Sequence, residues 1–98
     1  MKSYFLEGLR DKATTETKLS LLMPSQTDPW VLLATAGDTI AYFVLRSPGQ
    51  EEDALGPFLV QADISGRHYN EDDAVLRTLR LVQEELGGRI RDDDDNLL

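Results

Sequence analysis

WVLLATAGDTIAYFVL, residues 30–45, is the stretch on which the fold turns. Trp30–Thr35 and Ile40–Leu45 are rich in aromatic and β-branched residues, which suit a pleated surface. Between them stand Ala36, Gly37, Asp38 and Thr39. Glycine takes positive φ without a Cβ clash, as a tight hairpin turn requires. A two-residue Gly37-Asp38 loop would set Ala36 opposite Thr39 and Leu33 opposite Tyr42. Strand alternation then puts Trp30, Leu32, Ala34, Ala41, Phe43 and Leu45 on one face, and Val31, Leu33, Thr35, Ile40, Tyr42 and Val44 on the other. Both faces are apolar. Such a hairpin has to be covered on both sides, or to offer one side to a partner.

Downstream, Phe58–Ser65 alternates cleanly, with Phe58, Val60, Ala62 and Ile64 pointing one way and Leu59, Gln61, Asp63 and Ser65 the other, as expected of a half-exposed strand. Residues 71–86 then read as the strongest helix. Asn70 is a favoured N-cap, and Glu71, Asp72 and Asp73 complement the positive end of the helix dipole. Val75, Leu79, Val82 and Leu86 recur at helical spacing and predict one buried stripe. Asp73–Arg77 and Arg80–Glu84, four apart and of opposite sign, belong to the solvent side. Gly87 supplies the stop. Glu84 and Glu85 run against the dipole at this end, and Arg89-Ile90-Arg91 is a candidate for a short edge strand.

Upstream the pattern is less decisive. Ser3 can cap a short helix carrying Leu6 and Leu9, although Gly8 weakens it, and Tyr4-Phe5-Leu6 can equally begin a strand. Thr14, Thr15 and Thr17 mark a break or an extended entry, because β-branched residues fit a pleat better than a helix. Lys18–Met23 reads as a strand or a last helical turn, and residues 24–29 as a loop with Pro24 and Pro29 at its ends.

The charge is unevenly distributed. Residues 1–50 hold five acids and five bases, whereas residues 51–98 hold thirteen acids against five arginines, which accounts for the net charge of −8. This disfavours nucleic acid and favours basic proteins, cations or simple solubility. Arg67, Arg77, Arg80, Arg89 and Arg91 share their segment with those thirteen acids, so a phosphate-binding patch is not expected. An apolar content of 41% is too high for a disordered chain, and 98 residues make one domain of ordinary size. Absence of cysteine excludes disulfides, thiolate nucleophiles and cysteine-based zinc sites. The N-terminus lacks the apolar core of a secretory signal, and the longest apolar runs are too short to span a bilayer. A cytoplasmic protein without cofactor, membrane or nucleic acid is the expectation.

Little chemistry is visible. His68 is the only histidine, with neither a nucleophile motif nor an orienting partner beside it, so no catalytic residue is assigned. Asp92, Asp94 and Asn96 resemble the start of a calcium loop, but Leu97 stands where such a loop needs glycine, and no metal site is assigned. No glycine-rich phosphate loop is present. Trp30, Tyr42 and Phe43 read as core aromatics. Tyr69 suits either a hydrophobic staple before the helix or, with Arg67 and His68, a contact surface.

These readings converge on an α+β fold. Its two layers are an antiparallel sheet of about four strands (residues 17–23, 30–35, 39–45 and 58–65) and one main C-terminal helix. A short helix is one option for the N-terminal segment, which would cover part of the far face of the sheet. Residues 1–91 form the single domain and 92–98 an acidic C-terminal tail. The expected function is a non-enzymatic interaction module of inhibitor, immunity or chaperone type, acting on a basic partner or as a homodimer. Its candidate binding residues are Arg67, His68, Tyr69 and Asp92, Asp93, Asp94 and Asp95. The rival is a small enzyme or ligand-binding domain with a pocket near His68.

Overall fold

A computed structural model describes residues 2–23, 30–34, 37–46, 58–66, 70–94 and 96–98. It has the α+β architecture, with seven elements in the order β1 (Lys2–Leu9), α1 (Lys12–Leu22), β2 (Trp30–Leu33), β3 (Thr39–Arg46), β4 (Phe58–Ile64), α2 (Asp72–Leu86) and β5 (Arg89–Asp92). The strands form one sheet in the order β2-β3-β4-β1-β5, antiparallel at every junction. Five strands stand where about four were expected.

The N-terminal segment is not a cover for the sheet but its inner strand. Tyr4 lies opposite Ala62 of β4 and Asp92 of β5, and Leu6 opposite Val60 and Ile90. Both neighbours run antiparallel to β1 and hence parallel to each other, so α2 carries the chain over β1 from β4 to β5. Tyr4, Leu6, Val60, Ala62, Ile64 and Ile90 all turn inward to one core. Near its end β1 carries a bulge at Gly8, which has φ +89°. This extra residue turns Leu9 into the core as well, where it is fully buried. The glycine that weakened a helix reading is thus the mark of a strand irregularity.

Residues 17–23, expected in the sheet, instead form the end of α1, with Met23 as its C-cap. The threonines are accommodated because their hydroxyls bond backward along the helix. Asp11 caps the first turn, accepting from the Thr14 N–H at 3.1 Å and the Thr14 hydroxyl at 2.8 Å. Thr15 Oγ1 donates to the Asp11 carbonyl at 2.7 Å and Thr17 Oγ1 to that of Ala13 at 2.9 Å. Thr15, Leu19 and Met23 recur every fourth residue and are buried. The Trp30 indole N–H donates to Ser20 Oγ at 3.0 Å, tying α1 to β2.

In the β2–β3 hairpin Trp30 faces Phe43, Val31 faces Tyr42 and Leu32 faces Ala41. The register differs by two residues from a Gly37-Asp38 loop. The Gly37 N–H donates to the Ala34 carbonyl at 2.9 Å, and the Ala34 N–H to the Asp38 carbonyl at 2.8 Å. Gly37, at φ +91°, therefore closes a longer turn rather than opening a two-residue one. An even shift preserves the facing of every side chain. A second irregularity skips Ile40, which is buried in the core cluster together with Ala41 rather than on the opposite face.

α2 follows its predicted stripe. Val75, Leu79 and Val82 are fully buried, Leu86 packs partly on the core, and Arg77, Arg80 and Glu84 are exposed. The N-cap is Glu71, not Asn70, and makes no side-chain cap bond. No ion pair joins Asp73 to Arg77 or Arg80 to Glu84 among the described residues. Glu85, unfavourable for the dipole, is 3.5 Å from Lys18 Nζ on α1. Gly88 then lets β5 begin against β1, since a Cβ there would collide with the Glu7 carbonyl oxygen. Thr15, Leu19, Val75, Leu79 and Val82 enter one core with the inward strand residues, so both helices lie on the same side of the sheet. Leu79→Ala should lower unfolding free energy by about 2–5 kcal/mol, measured by urea denaturation, through lost burial and the cavity it leaves.

Candidate functional site

Because both helices occupy one side, the other side of the sheet has no helix over it among the described residues. Strand alternation and register place its residues in three rows. The first runs Val31, Tyr42, Asp63 and Ser3, the second Val44, Gln61, Phe5 and Arg91, and the third Arg46, Leu59, Glu7 and Arg89. The β4, β1 and β5 part is held by polar contacts. Asp63 Oδ1 accepts from Ser3 Oγ at 2.6 Å and from Gln61 Nε2 at 2.9 Å, and Gln61 Oε1 accepts from Arg46 Nη1 at 2.7 Å. Arg91 pairs with Glu7 through Nε, and its guanidinium carbon lies 4.2 Å from the centroid of the Phe5 ring.

The β2–β3 part of the same face is apolar. Val31 and Val44 are half-buried, while Tyr42 is 45% exposed. Of the three aromatics read as core, Trp30 and Phe43 are buried and Tyr42 is not. Ile40, removed by its bulge, no longer contributes to this strip. Leu33, at the end of β2, is 42% exposed. The doubly apolar hairpin thus survives as a smaller apolar strip, bordered by the Arg46–Gln61–Asp63 network.

A second constellation lies where β1 begins, α2 begins and β5 ends. Tyr4, only 7% exposed, donates its hydroxyl to Asp72 Oδ2 at 2.6 Å, and Lys2 Nζ pairs with the same oxygen. Burial foremost, then the Asp72 hydrogen bond and the charges of Asp72, Asp92 and Asp93, push the Tyr4 phenol well above its ordinary range. For Asp72, burial raises the carboxyl, but the Lys2 and Tyr4 hydrogen bonds and the Lys2 charge outweigh it and hold the carboxyl low. Sequence reading missed this triad. Tyr4 and Asp72 are 68 residues apart, and the one signal was the acidic first turn of α2.

Asp92 to Asp94 belong to this same end. Asp92 closes β5, and Asp93 Oδ2 accepts from the Ser3 N–H at 3.3 Å. The chain then doubles back. Asp92 Oδ1 accepts from the N–H groups of Asp94 and Asn96, both at 2.9 Å, and these bonds, that of Asn96 first, lower the Asp92 carboxyl. Leu97 bridges Arg91, and the Leu98 N–H donates to the Ile90 carbonyl at 2.9 Å. The segment expected as a tail from residue 92 therefore begins inside a strand and returns along its edge. One oxygen from each of Asp92, Asp93 and Asp94 falls within 4.8 Å of the others, a spacing a cation could bridge, although these groups are largely exposed. Arg67, His68, Tyr69 and Asp95 lie outside the described residues. The flanking Gly66 and Asn70 are exposed at the same end, since Ile64 faces Lys2.

Two concavities among the described residues lie elsewhere. One, of about 420 Å³, lies along the outer side of α2 at Leu76, Arg77, Arg80 and Leu81; a smaller one lies at Glu16, Thr17, Ser20 and Leu21 of α1. Neither gathers an acid, a base and a nucleophile. Among the described residues no helix is long and apolar enough to cross a membrane.

The fold and the site define a small α+β domain in which, among the described residues, one sheet face carries no helix. The chain matches no family model, no curated protein and no solved structure at a significant level.

Tyr4→Phe removes a hydrogen bond to a charged acceptor and should cost about 1.5–3 kcal/mol near neutral pH. The lowered Asp72 carboxyl contributes stability above its unfolded value of about 4 and loses it as pH falls through the lower folded value. Urea unfolding of both proteins from about pH 7 to about pH 2.5 should show their difference closing at the acid end. A constant difference would show that the bond does not depend on the Asp72 charge.

Proposed function

We propose that this chain is a non-enzymatic protein-interaction module that docks a protein partner on the uncovered face of its sheet. One observation carries the reading: the side without helices presents Tyr42, 45% exposed, beside Val31 and Val44. Tyrosine gives a large contact area at little entropic cost, and an apolar strip edged by hydrogen-bonded polar groups has the anatomy of an interface core and rim. Polar groups already satisfied within the chain lose little when a partner excludes water from them.

The acidic end supports the nature of the partner. Asp72, Asp73, Asp92, Asp93 and Asp94 cluster where α2 begins and β5 ends, and give the molecule a directional negative field. Such a field speeds encounter with a basic protein and disfavours acidic ones, while the apolar strip holds the complex once formed. The cysteine-free chain suits the cytoplasm as its place of action.

Affinity capture from the native host with three matched baits tests this reading. The wild-type chain and Leu21→Asp, altered at an exposed position of α1, should retain the same basic protein. Tyr42→Asp should lose it, with binding weakened at least about tenfold, as expected for an interface aromatic. Equal retention by all three baits would remove the sheet face as the docking surface.

A further inference from the structure

The two edges of the sheet are treated differently. At one edge β5, Arg89-Ile90-Arg91-Asp92, carries three charged residues among four. Its rim is also occupied, because Leu97 bridges Arg91 and the Leu98 N–H bonds to the Ile90 carbonyl. Charge and a covering segment are the two devices by which a chain keeps a strand edge from pairing with another molecule. At the other edge β2, Trp30-Val31-Leu32-Leu33, shows neither among the described residues. It contains no charged residue and no proline, and among the described residues nothing pairs with its outer side. A bare apolar edge offers unpaired backbone donors and acceptors to any strand that fits.

We infer that β2 is the self-association edge of this protein, pairing antiparallel with β2 of a second copy about a two-fold axis normal to the sheet. The charge distribution selects a second copy as occupant. Each chain carries −8, so two copies repel over most of their surface. Residues 30–46, which span β2 and β3, contain only Asp38 and Arg46 as charged groups and are neutral. Two copies can therefore approach through this edge without bringing like charges together, whereas the β5 edge lies at the acidic end.

Antiparallel neighbours share faces, so an open-face residue must stand opposite another open-face residue. A register centred on Val31 satisfies this: Val31 faces Val31 of the second copy, and Trp30 faces Leu32 across the axis. The sheet becomes continuous through both copies, with all helices on one side. The two strips of Val31 and Tyr42 merge into one uncovered face, and the isologous contact closes as a dimer without propagating. The inference rests on β2 as an edge and not on the heterologous docking of the preceding section, so either can fail without the other.

The test is solution mass by light scattering with gel filtration, together with cysteine cross-linking in a chain that contains no natural cysteine. The wild type should show twice the 11.0 kDa chain mass at micromolar concentration. Its dissociation constant should fall as salt is added, because screening relieves repulsion between the acidic bodies. Val31→Lys, which sets two like charges opposite each other, should return a single-chain mass with an unchanged circular dichroism spectrum. Val31→Cys should form a disulfide-linked dimer under mild oxidation, and Leu21→Cys, on exposed α1, should not. The cross-link supports the edge even where the lysine variant does not fold. A wild type of single-chain mass would overturn the inference. So would a dimer that survives in folded Val31→Lys, or one lost in Tyr42→Asp but kept in Val31→Lys, which would assign the contact to the face.

Discussion

Hydrogen bonding of β1 on both sides is the constraint from which the rest of the structure follows. The first strand of the chain pairs with β4 and β5, two segments that lie far along the sequence on either side of α2. Without it β5 has no partner and α2 has no route back to the sheet. The same strand sets the ends of α2. Tyr4 reaches Asp72 in the first turn, and the Glu7 carbonyl closes so tightly on Gly88 that only glycine fits after the last. Long-range pairing of this kind costs loop entropy before contacts reward it, so β1 is expected to settle late in folding.

Once β1 is in place, alternation sorts the remaining side chains. Tyr4, Leu6, Val60, Ala62 and Ile64 enter the core, while Phe5, Glu7, Leu59, Gln61 and Asp63 lie on the other face and are only partly buried. Two irregularities modify the pattern, and both favour burial. Gly8 turns Leu9 inward, and the skipped Ile40 turns inward beside Ala41. Bulges thus remove two large apolar residues from the uncovered face. What remains apolar there is Val31, Tyr42 and Val44 on β2 and β3, with Phe5 and Leu59 farther along the rows, while the Ser3–Asp63–Gln61–Arg46 network occupies the centre.

Part of the negative charge is gathered, while Glu84 and Glu85 stand at the opposite end of α2. Asp72, Asp92 and Asp93 surround Tyr4 and Lys2 at one end, and the cost of that crowding is offset locally. Lys2 and the Tyr4 hydroxyl stabilise Asp72, and the turn from Asp92 to Asn96 donates backbone N–H groups to Asp92. Charges held in this way create a directional field without weakening the core, which lies under α2 and along the inward rows of the sheet.

The sequence by itself determined what local periodicity and composition can carry. The α2 stripe, the β2, β3 and β4 strands, the stop at Gly87 and the α+β class all follow from spacing within a few turns or a few pleats, and local sterics enforce that spacing whatever the rest of the chain does. Of the candidate site, the grouping of Val31, Tyr42 and Val44 on one hairpin face, the outward set of β4 and the exposed side of α2 were legible. Tertiary structure decided the remainder. β1 was ambiguous because its choice between helix and strand depends on partners far along the chain, from Leu9 opposite Phe58 to Lys2 opposite Ile64. α1 was hidden because threonine's preference for a pleat yields once Asp11 caps the turn and hydroxyls bond backward. The exposure of Tyr42, the Tyr4–Asp72–Lys2 triad and the sealing of β5 by Leu97 and Leu98 depend on which side the helices cover and which strand lies at the edge. These are properties of the assembled sheet, and no run of neighbouring residues contains them.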